Sequence, residues 1–222
     1  MYRNYLKRLL DVICSLLGLI ILSPLLLVVI VVMSFANKGA GVFFSQARPG
    51  RGERLFNMYK FKSMTDERDA AGNLLPDAKR LTAMGRFIRK TSIDELPQLW
   101  NVLRGDMSLV GPRPFLATYR QIPTERRKVE IISVSIEGNA IEITPAQRVR
   151  YEVRPGITGL SQINGRNKLS YQHRFKYDAW YVRHLSLALD LKILFKTVGL
   201  TLRMKDVSSA TGETSEIFTG ED

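Results

Sequence analysis

The sequence predicts an α+β, mostly helical fold. An N-terminal re-entrant membrane helix-break-helix precedes a small globular domain on the cytoplasmic face, with amphipathic interfacial helices and a β-hairpin. Three observations carry this prediction. An apolar block from Val12 to Ala36 is interrupted at Pro24, Leu185–Met204 mixes apolar and charged residues, and alternating residues flank a turn at 137–140. The expected boundaries are a membrane hairpin over 1–37, a globular domain over 38–206 and a polar tail over 207–222.

The apolar block carries no charge and is long enough at helical rise to cross a bilayer. Ser23-Pro24 falls almost at its centre. Proline removes a backbone donor and clashes with the preceding turn, so a kink or break is expected. In hydrocarbon the freed carbonyl needs a partner, and the Ser23 hydroxyl is one candidate. A secretory signal fits poorly, because Leu25–Val32 continues the run and no small-residue cleavage site follows. Arg3, Lys7 and Arg8 precede the block, and Lys38, Arg48 and Arg51 follow it. Basic flanks on both sides frustrate the positive-inside rule for a single span, whereas a hairpin returning to the cytoplasmic face satisfies it. Both geometries stay open; flanks and proline favour the re-entrant one. Asp11, at the edge of the block, is expected to pair with Lys7 or Arg8 or to sit at the interface.

Composition bounds the partners. The 222 residues fit one domain with a short anchor, and a net charge of +12 calls for an anionic partner. Nucleic acid, an anionic leaflet and phosphorylated substrates all qualify. The single cysteine, Cys14, excludes an intrachain disulfide and is compatible with a reducing compartment. His173 and His184 are the only histidines, and with no Cys/His cluster a zinc site is not expected.

Along the rest of the chain, 37–50 reads as a polar exit with a short apolar stretch at Val42–Phe44. Leu55–Met64 alternates as a strand, and 65–80 is a polar loop with turn residues at Ala71-Gly72-Asn73 and Pro76. Thr82–Lys90 and Asp94–Leu103 look helical, with Thr91 or Ser92 expected to cap the second and its carboxylates in the first turn. Within Val129–Thr144, Val134 and Ile136 alternate with serines and Ile141 and Ile143 flank Glu142, which predicts a β-hairpin. Leu185–Met204 is too charged to span and reads as an amphipathic helix.

The densest polar constellation runs from Thr91 to Pro114. Adjacent Asp94 and Glu95 point about 100° apart on a helix, so they would do different jobs: nucleophile or metal ligand for one, positioning for the other. In isolation an acidic first turn would explain them better. Their company argues for chemistry. Gly111-Pro112-Arg113-Pro114 is a rigid loop around one arginine, suited to aiming a guanidinium at phosphate, and Val153-Arg154-Pro155-Gly156 repeats that logic. With Lys60 and Lys62 on a strand these form a basic cluster, and a divalent cation at Asp94 would complete the electrostatics of phosphoryl transfer. No Walker or dinucleotide fingerprint is present.

These residues closely resemble the small monotopic phosphoglycosyl transferases, the bacterial sugar transferase family. The matches include Ser23-Pro24, Ala47-Arg48-Pro49-Gly50, Tyr59–Met64, Asp94-Glu95-Leu96-Pro97-Gln98 and Gly105-Asp106-Met107-Ser108. They continue through Gly111–Pro114, Val153–Arg166, Tyr177-Asp178 and Asp190-Leu191-Lys192, so the resemblance covers nearly the whole chain. It implies a re-entrant helix, an active site on the cytoplasmic face of the bacterial inner membrane, a UDP-sugar donor, polyprenyl (undecaprenyl) phosphate as acceptor, Mg²⁺, and UMP as leaving product. It also implies roles: Asp94 as nucleophile, Glu95 as its supporting acid, Lys60, Arg113 and Arg154 as phosphate ligands, and Asp178 lining the site. The hairpin near 129–144 reads as an insertion that leaves the motifs intact. The chain is expected to be the minimal form of the family; the sugar and the oligomeric state, homodimer included, stay open.

Two rival readings fit parts of the sequence. A membrane-anchored nucleic-acid module would need exposed aromatics among its basic residues, whereas Trp100 and Trp180 are expected in the core. No nucleic-acid partner is therefore expected. A catalytically silent scaffold for glycan assembly is opposed by the intact Asp94-Glu95 pair.

Overall fold

The computed structural model describes residues 1–202 except 123–124, 126, 137–138 and 166–168. The middle of the expected hairpin turn, Arg166 and the polar tail therefore lie outside the described residues. A helical turn at Tyr2–Leu6 leads into α1, Lys7–Ala36, a single helix of 30 residues with Pro24 inside it. The expected helix-break-helix is thus one continuous helix. Proline removes the bond that would end on the carbonyl four residues back, that of Ile20. The Ser23 hydroxyl donates to that same carbonyl at 2.7 Å, so the position keeps a partner. With the freed acceptor satisfied, the apolar residues on both sides keep their helical bonds, and no break is needed.

One stripe of α1 is buried and the remainder is exposed apolar surface, including Ile20, Ile21, Leu27 and Val28. The helix is docked at both ends. Near its start Lys7 Nζ lies 2.6 Å from Asp190 Oδ2, and Asp11 accepts the Leu109 N–H at 3.0 Å. Asp11 thus takes a backbone amide rather than Lys7 or Arg8, because Lys7 is held by Asp190 and Arg8 donates to the carbonyls of Val102 and Leu103 at 2.6 and 2.9 Å. Near its end Val29 and Met33 join Phe61 and Ile88 in one apolar cluster. Asn37 Nδ2 then donates at 2.7 Å to the carbonyls of Gly41 and Lys62.

Strands β1 (Phe43–Pro49) and β2 (Leu55–Phe61) pair antiparallel, carrying Lys60 opposite Phe44. Helices α2 (Asp77–Arg80) and α3 (Ala83–Lys90) follow, the latter capped by Thr82, whose Oγ1 accepts the Gly85 N–H at 2.9 Å. A 3₁₀ turn at Ile93–Glu95 precedes α4, Gln98–Arg104. Ser92 is not the expected cap. It adopts a left-handed conformation (φ 58°) with no side-chain cap bond, and α4 begins only after Pro97. Proline's fixed φ and missing N–H suit the approach to a helix but not its interior, so Asp94 and Glu95 are pushed into a separate turn.

The chain continues through β3 (Ser108–Val110), β4 (Leu116–Gln121), β5 (Val129–Ile136) and β6 (Asn139–Glu142). The expected hairpin is present as β5–β6, with Val134 opposite Ile141, and β4 extends it to a three-stranded antiparallel sheet. Phe115, Val129, Ile131 and Val134 give that sheet a core shared with Tyr151 and Phe175. After α5 (Pro145–Arg148) come β7 (Gly156–Thr158), α6 (Leu160–Ile163), α7 (Tyr171–Arg183) and α8 (Leu187–Leu202). Helices α7 and α8 close a second core around Val110, Val153, Tyr181 and Ile193.

Trp100 and Trp180 are not in the core: they are 50% and 47% exposed. Helix α4 buries Gln98, Leu99, Asn101 and Val102 and turns Trp100 outward, while Trp180 stacks on His184 at 4.2 Å on the outer side of α7.

Candidate active site

The two arginine-proline loops are brought side by side by a parallel pair, β3 against β7. Gly111 N–H donates to Thr158 O at 2.8 Å and Gly156 N–H to Pro112 O at 3.0 Å. The glycines make this approach possible. A Cβ on Gly156 would lie 2.1 Å from the Gly111 nitrogen, and one on Gly111 would lie 2.5 Å from the Arg154 carbonyl oxygen.

The turn at Ile93–Glu95 packs on β2, and Lys60 reaches across to it. Lys60 Nζ and Arg113 Nη2 both donate to Glu95 Oε1, at 2.7 and 3.1 Å. Burial would raise the Glu95 pKa, but the charges and hydrogen bonds of Lys60 and Arg113 outweigh it and hold the carboxyl well below its usual range, at about 2. Asp94 differs. Its carboxylate makes no hydrogen bond or ion pair with any described residue. Burial, then the neighbouring charge of Glu95, pushes it up to about 6 against the pull of Lys60, Arg89 and Arg113. The nearby cations do not hold the Asp94 pKa low, because Lys60 and Arg113 are spent on Glu95.

Lys60, Arg113, Asp94 and Glu95 thus form one cluster, joined by Arg89. The other two expected residues sit elsewhere. Arg154 Nε donates to Gly105 O at 2.8 Å at the end of α4. The charges bearing on it are Arg8, Arg51 and Asp11, and burial is the larger cause that lowers its pKa. Asp178 is 1% exposed and lies below the surface. It pairs with Arg150 at 3.0 Å and accepts a hydrogen bond from Ser161 at 3.0 Å.

Arg48, in the Ala47-Arg48-Pro49-Gly50 motif, joins this cationic surface. Burial, and then the charge of Arg113, lower its guanidinium to about 10. Its Nη2 donates to Gln46 at 2.6 Å and its buried Nε has no partner, so it adds cationic character beside Arg113. A Q-A-R-P strand end carries no alternation that would have marked it.

The residues fit a magnesium ion in one way. No group of three or more His, Cys, Asp or Glu among the described residues could cage a metal. Mg²⁺, however, is commonly held by one or two carboxylates with substrate phosphates and waters completing its shell, and Asp94 offers an uncommitted carboxylate.

An acidic pair set among cations, on a domain that carries one helix long and apolar enough to cross a membrane, suits an anionic partner at a membrane surface. Comparison narrows the class. The family described as bacterial sugar transferase matches residues 2–204, and the chain belongs to it. It is 47% identical over 97% of its length to a Bacillus subtilis protein named uncharacterized sugar transferase EpsL, of which 96% is covered. It is 39% identical over 90% of its length to the undecaprenyl-phosphate galactose phosphotransferase of Salmonella typhimurium. It is 40% identical over 86% of its length to the UDP-glucose:undecaprenyl-phosphate glucose-1-phosphate transferase of Klebsiella pneumoniae. The chain spans only 41% and 39% of those last two proteins.

Proposed function

We propose that the protein is a phosphoglycosyl transferase that moves a sugar-1-phosphate from a UDP-sugar to undecaprenyl phosphate, releasing UMP. The observation that carries this reading is the asymmetry of the acidic pair: Glu95 is pinned by two cations while Asp94 is uncommitted. The names of the Salmonella and Klebsiella relatives support the acceptor, and the Klebsiella name supports the donor.

A hydrophilic donor and an acceptor embedded in lipid are awkward to align together, and a covalent intermediate divides the problem into two displacements. An Asp94 carboxylate oxygen attacks the β-phosphorus of the UDP-sugar. The bond from that phosphorus to the bridging oxygen breaks, and UMP leaves with the electron pair. A phosphate oxygen of the acceptor then attacks the same phosphorus, and the Asp94 carboxylate departs unchanged. Arg113 and Lys60 hold phosphate oxygens and Glu95 keeps both cations in place. Mg²⁺ bound at Asp94 with the diphosphate would supply charge neutralisation. A panel of UDP-sugars assayed for UMP release tests the reading. No UMP with any of them, in the presence of undecaprenyl phosphate and Mg²⁺, would overturn it.

The same reading places the protein on the cytoplasmic face of the inner membrane, with both ends of the continuous α1 on that side. In support, both ends of α1 are fastened to one globular domain, at Asp190 and Leu109 near its start and at Phe61 and Ile88 near its end. A helix crossing straight through would hold those contacts on opposite sides of the bilayer. Single cysteines at Arg3 and Lys38, in a Cys14→Ser background, are expected to resist an impermeant thiol reagent in intact cells. Both should react in inverted vesicles. Labelling of one end only from outside would establish a span instead.

A further inference from the structure

Arg150 holds a position that the reaction does not explain. It is 3% exposed, and its guanidinium carbon lies 4.3 Å from the Phe115 ring centre, 5.1 Å from that of Phe175 and 5.6 Å from that of Tyr151. An arginine cannot shed its proton to ease such burial, so it needs a counter-charge. Asp178 supplies it, with Oδ2 3.0 Å from Arg150 Nη2. The contact is an ion pair rather than an aligned hydrogen bond, since Asp178 Oδ2 has no hydrogen-bond donor. The aligned bond of Nη2 goes elsewhere, to the backbone carbonyl of Arg113.

That carbonyl belongs to the residue that grips Glu95. Arg113 lies between Pro112 and Pro114, neither of which has an amide N–H to anchor the loop. Gly111 N–H and Pro112 O are tied to β7, but both ties lie on the N-terminal side of Arg113. Arg150 provides the tie at Arg113 itself. A buried ion pair contributes little net stability compared with apolar residues of similar volume. What apolar residues cannot do is donate to the Arg113 carbonyl.

We propose that Arg150, oriented by Asp178 and the three aromatic rings, is a positioning residue that fixes Arg113 for the phosphate of the donor. This rests on the reading of Arg113 as a phosphate ligand. It also gives Asp178 a role at a distance, acting through Arg150 on the Arg113 loop. Neither residue touches the reacting atoms.

The test compares four forms of the full chain in detergent or nanodiscs: wild type, Arg113→Ala, the pair Arg150→Met with Asp178→Leu, and all three changes together. Each is measured for thermal unfolding and for kcat/KM of UMP release. The apolar pair is expected to unfold near the wild-type midpoint yet lose about 100-fold in kcat/KM, the scale of a small misplacement of a binding group. In the Arg113→Ala background the pair should cost nothing further, because its effect runs through Arg113. A folded pair variant at the wild-type rate, or a loss that multiplies in full with that of Arg113→Ala, would overturn the proposal. If the pair variant does not fold, Arg150→Lys replaces it. That change keeps the charge facing Asp178 without the planar fork, and it should retain the fold while failing to restore the rate; a wild-type rate there also overturns the proposal. Absence of UMP release from the wild type removes the underlying reading and this inference with it, whereas release with full multiplicativity removes this inference alone.

Discussion

Replacing Asp94 by Asn is expected to lower UMP release by at least about 10⁴-fold, the scale of losing an enzyme nucleophile. The wild type should release a burst of UMP without acceptor, one equivalent per active site, and carry a phosphosugar mass on the peptide containing Asp94. The Asn variant should show neither. Its side chain is the same size, so a loss of activity without a loss of fold isolates the missing charge. Intersecting rather than parallel initial-rate plots, with no burst, would show a ternary complex and demote Asp94 to a metal ligand.

The pH dependence of that burst follows from the environment of the pair. Asp94 attacks only when ionised, and burial together with Glu95 holds its pKa at about 6. The burst rate at fixed Mg²⁺ should therefore be flat above that pH and fall about tenfold per unit below it. Glu95 lies near 2 and stays ionised throughout that window. Because the Glu95 charge is one cause of the upward shift, Glu95→Gln should move the acid limb to lower pH while slowing turnover by freeing Lys60 and Arg113. An acid limb that stays in place would mean that Glu95 does not act on Asp94.

Much of this site was legible because its chemistry is local in the chain. Asp94 and Glu95 are neighbours, and the proline-flanked Arg113 announces a rigid loop. What the chain could not tell was which partners meet. Arg113 grips Glu95 because Gly111 and Gly156 let two loops touch, a contact between residues far apart in sequence. Arg154 has the same local signature as Arg113 but sits one loop over, and the carbonyl of Gly105 takes its Nε. Asp178 looks like any helical carboxylate until Arg150 is found beside it.

In the fold, alternation revealed β2 and the β5–β6 hairpin, where one face is buried. Apolar helical surroundings misled at Trp100 and Trp180, since apolar neighbours in sequence do not say which side of a helix faces inward. The proline was read correctly as a chemical problem and incorrectly as a break. The difference is one hydroxyl, that of Ser23, on one carbonyl.

The second large effect is on stability and centres on Asp190, two of whose partners, Tyr2 and Lys7, are too distant in sequence to be anticipated. Its carboxylate, 4% exposed, receives Lys7 Nζ at 2.6 Å, the Tyr2 hydroxyl at 2.6 Å and the Tyr181 hydroxyl at 2.7 Å. Burial first, then the hydrogen bond and negative charge of Asp190, push both tyrosines above the usual phenol range, so they remain donors at any physiological pH. Two of the three donors come from the segment that starts the membrane helix, while Asp190 and Tyr181 belong to α8 and α7. This one carboxylate therefore fastens the apolar helix to the globular domain. Asp190→Asn keeps the shape but leaves the Lys7 cation buried without a counter-charge, a change that costs about 3–5 kcal/mol in comparable buried pairs. Thermal unfolding in nanodiscs should show a large drop in midpoint. Replacing both partners, Lys7→Met with Asp190→Leu, should recover most of it, because the penalty lies in the orphaned charge rather than in the loss of the pair. An Asp190→Asn protein that unfolds at the wild-type midpoint would mean that the amino-terminal end of α1 is held by the Arg8 and Asp11 bonds and its apolar contacts without help from Asp190.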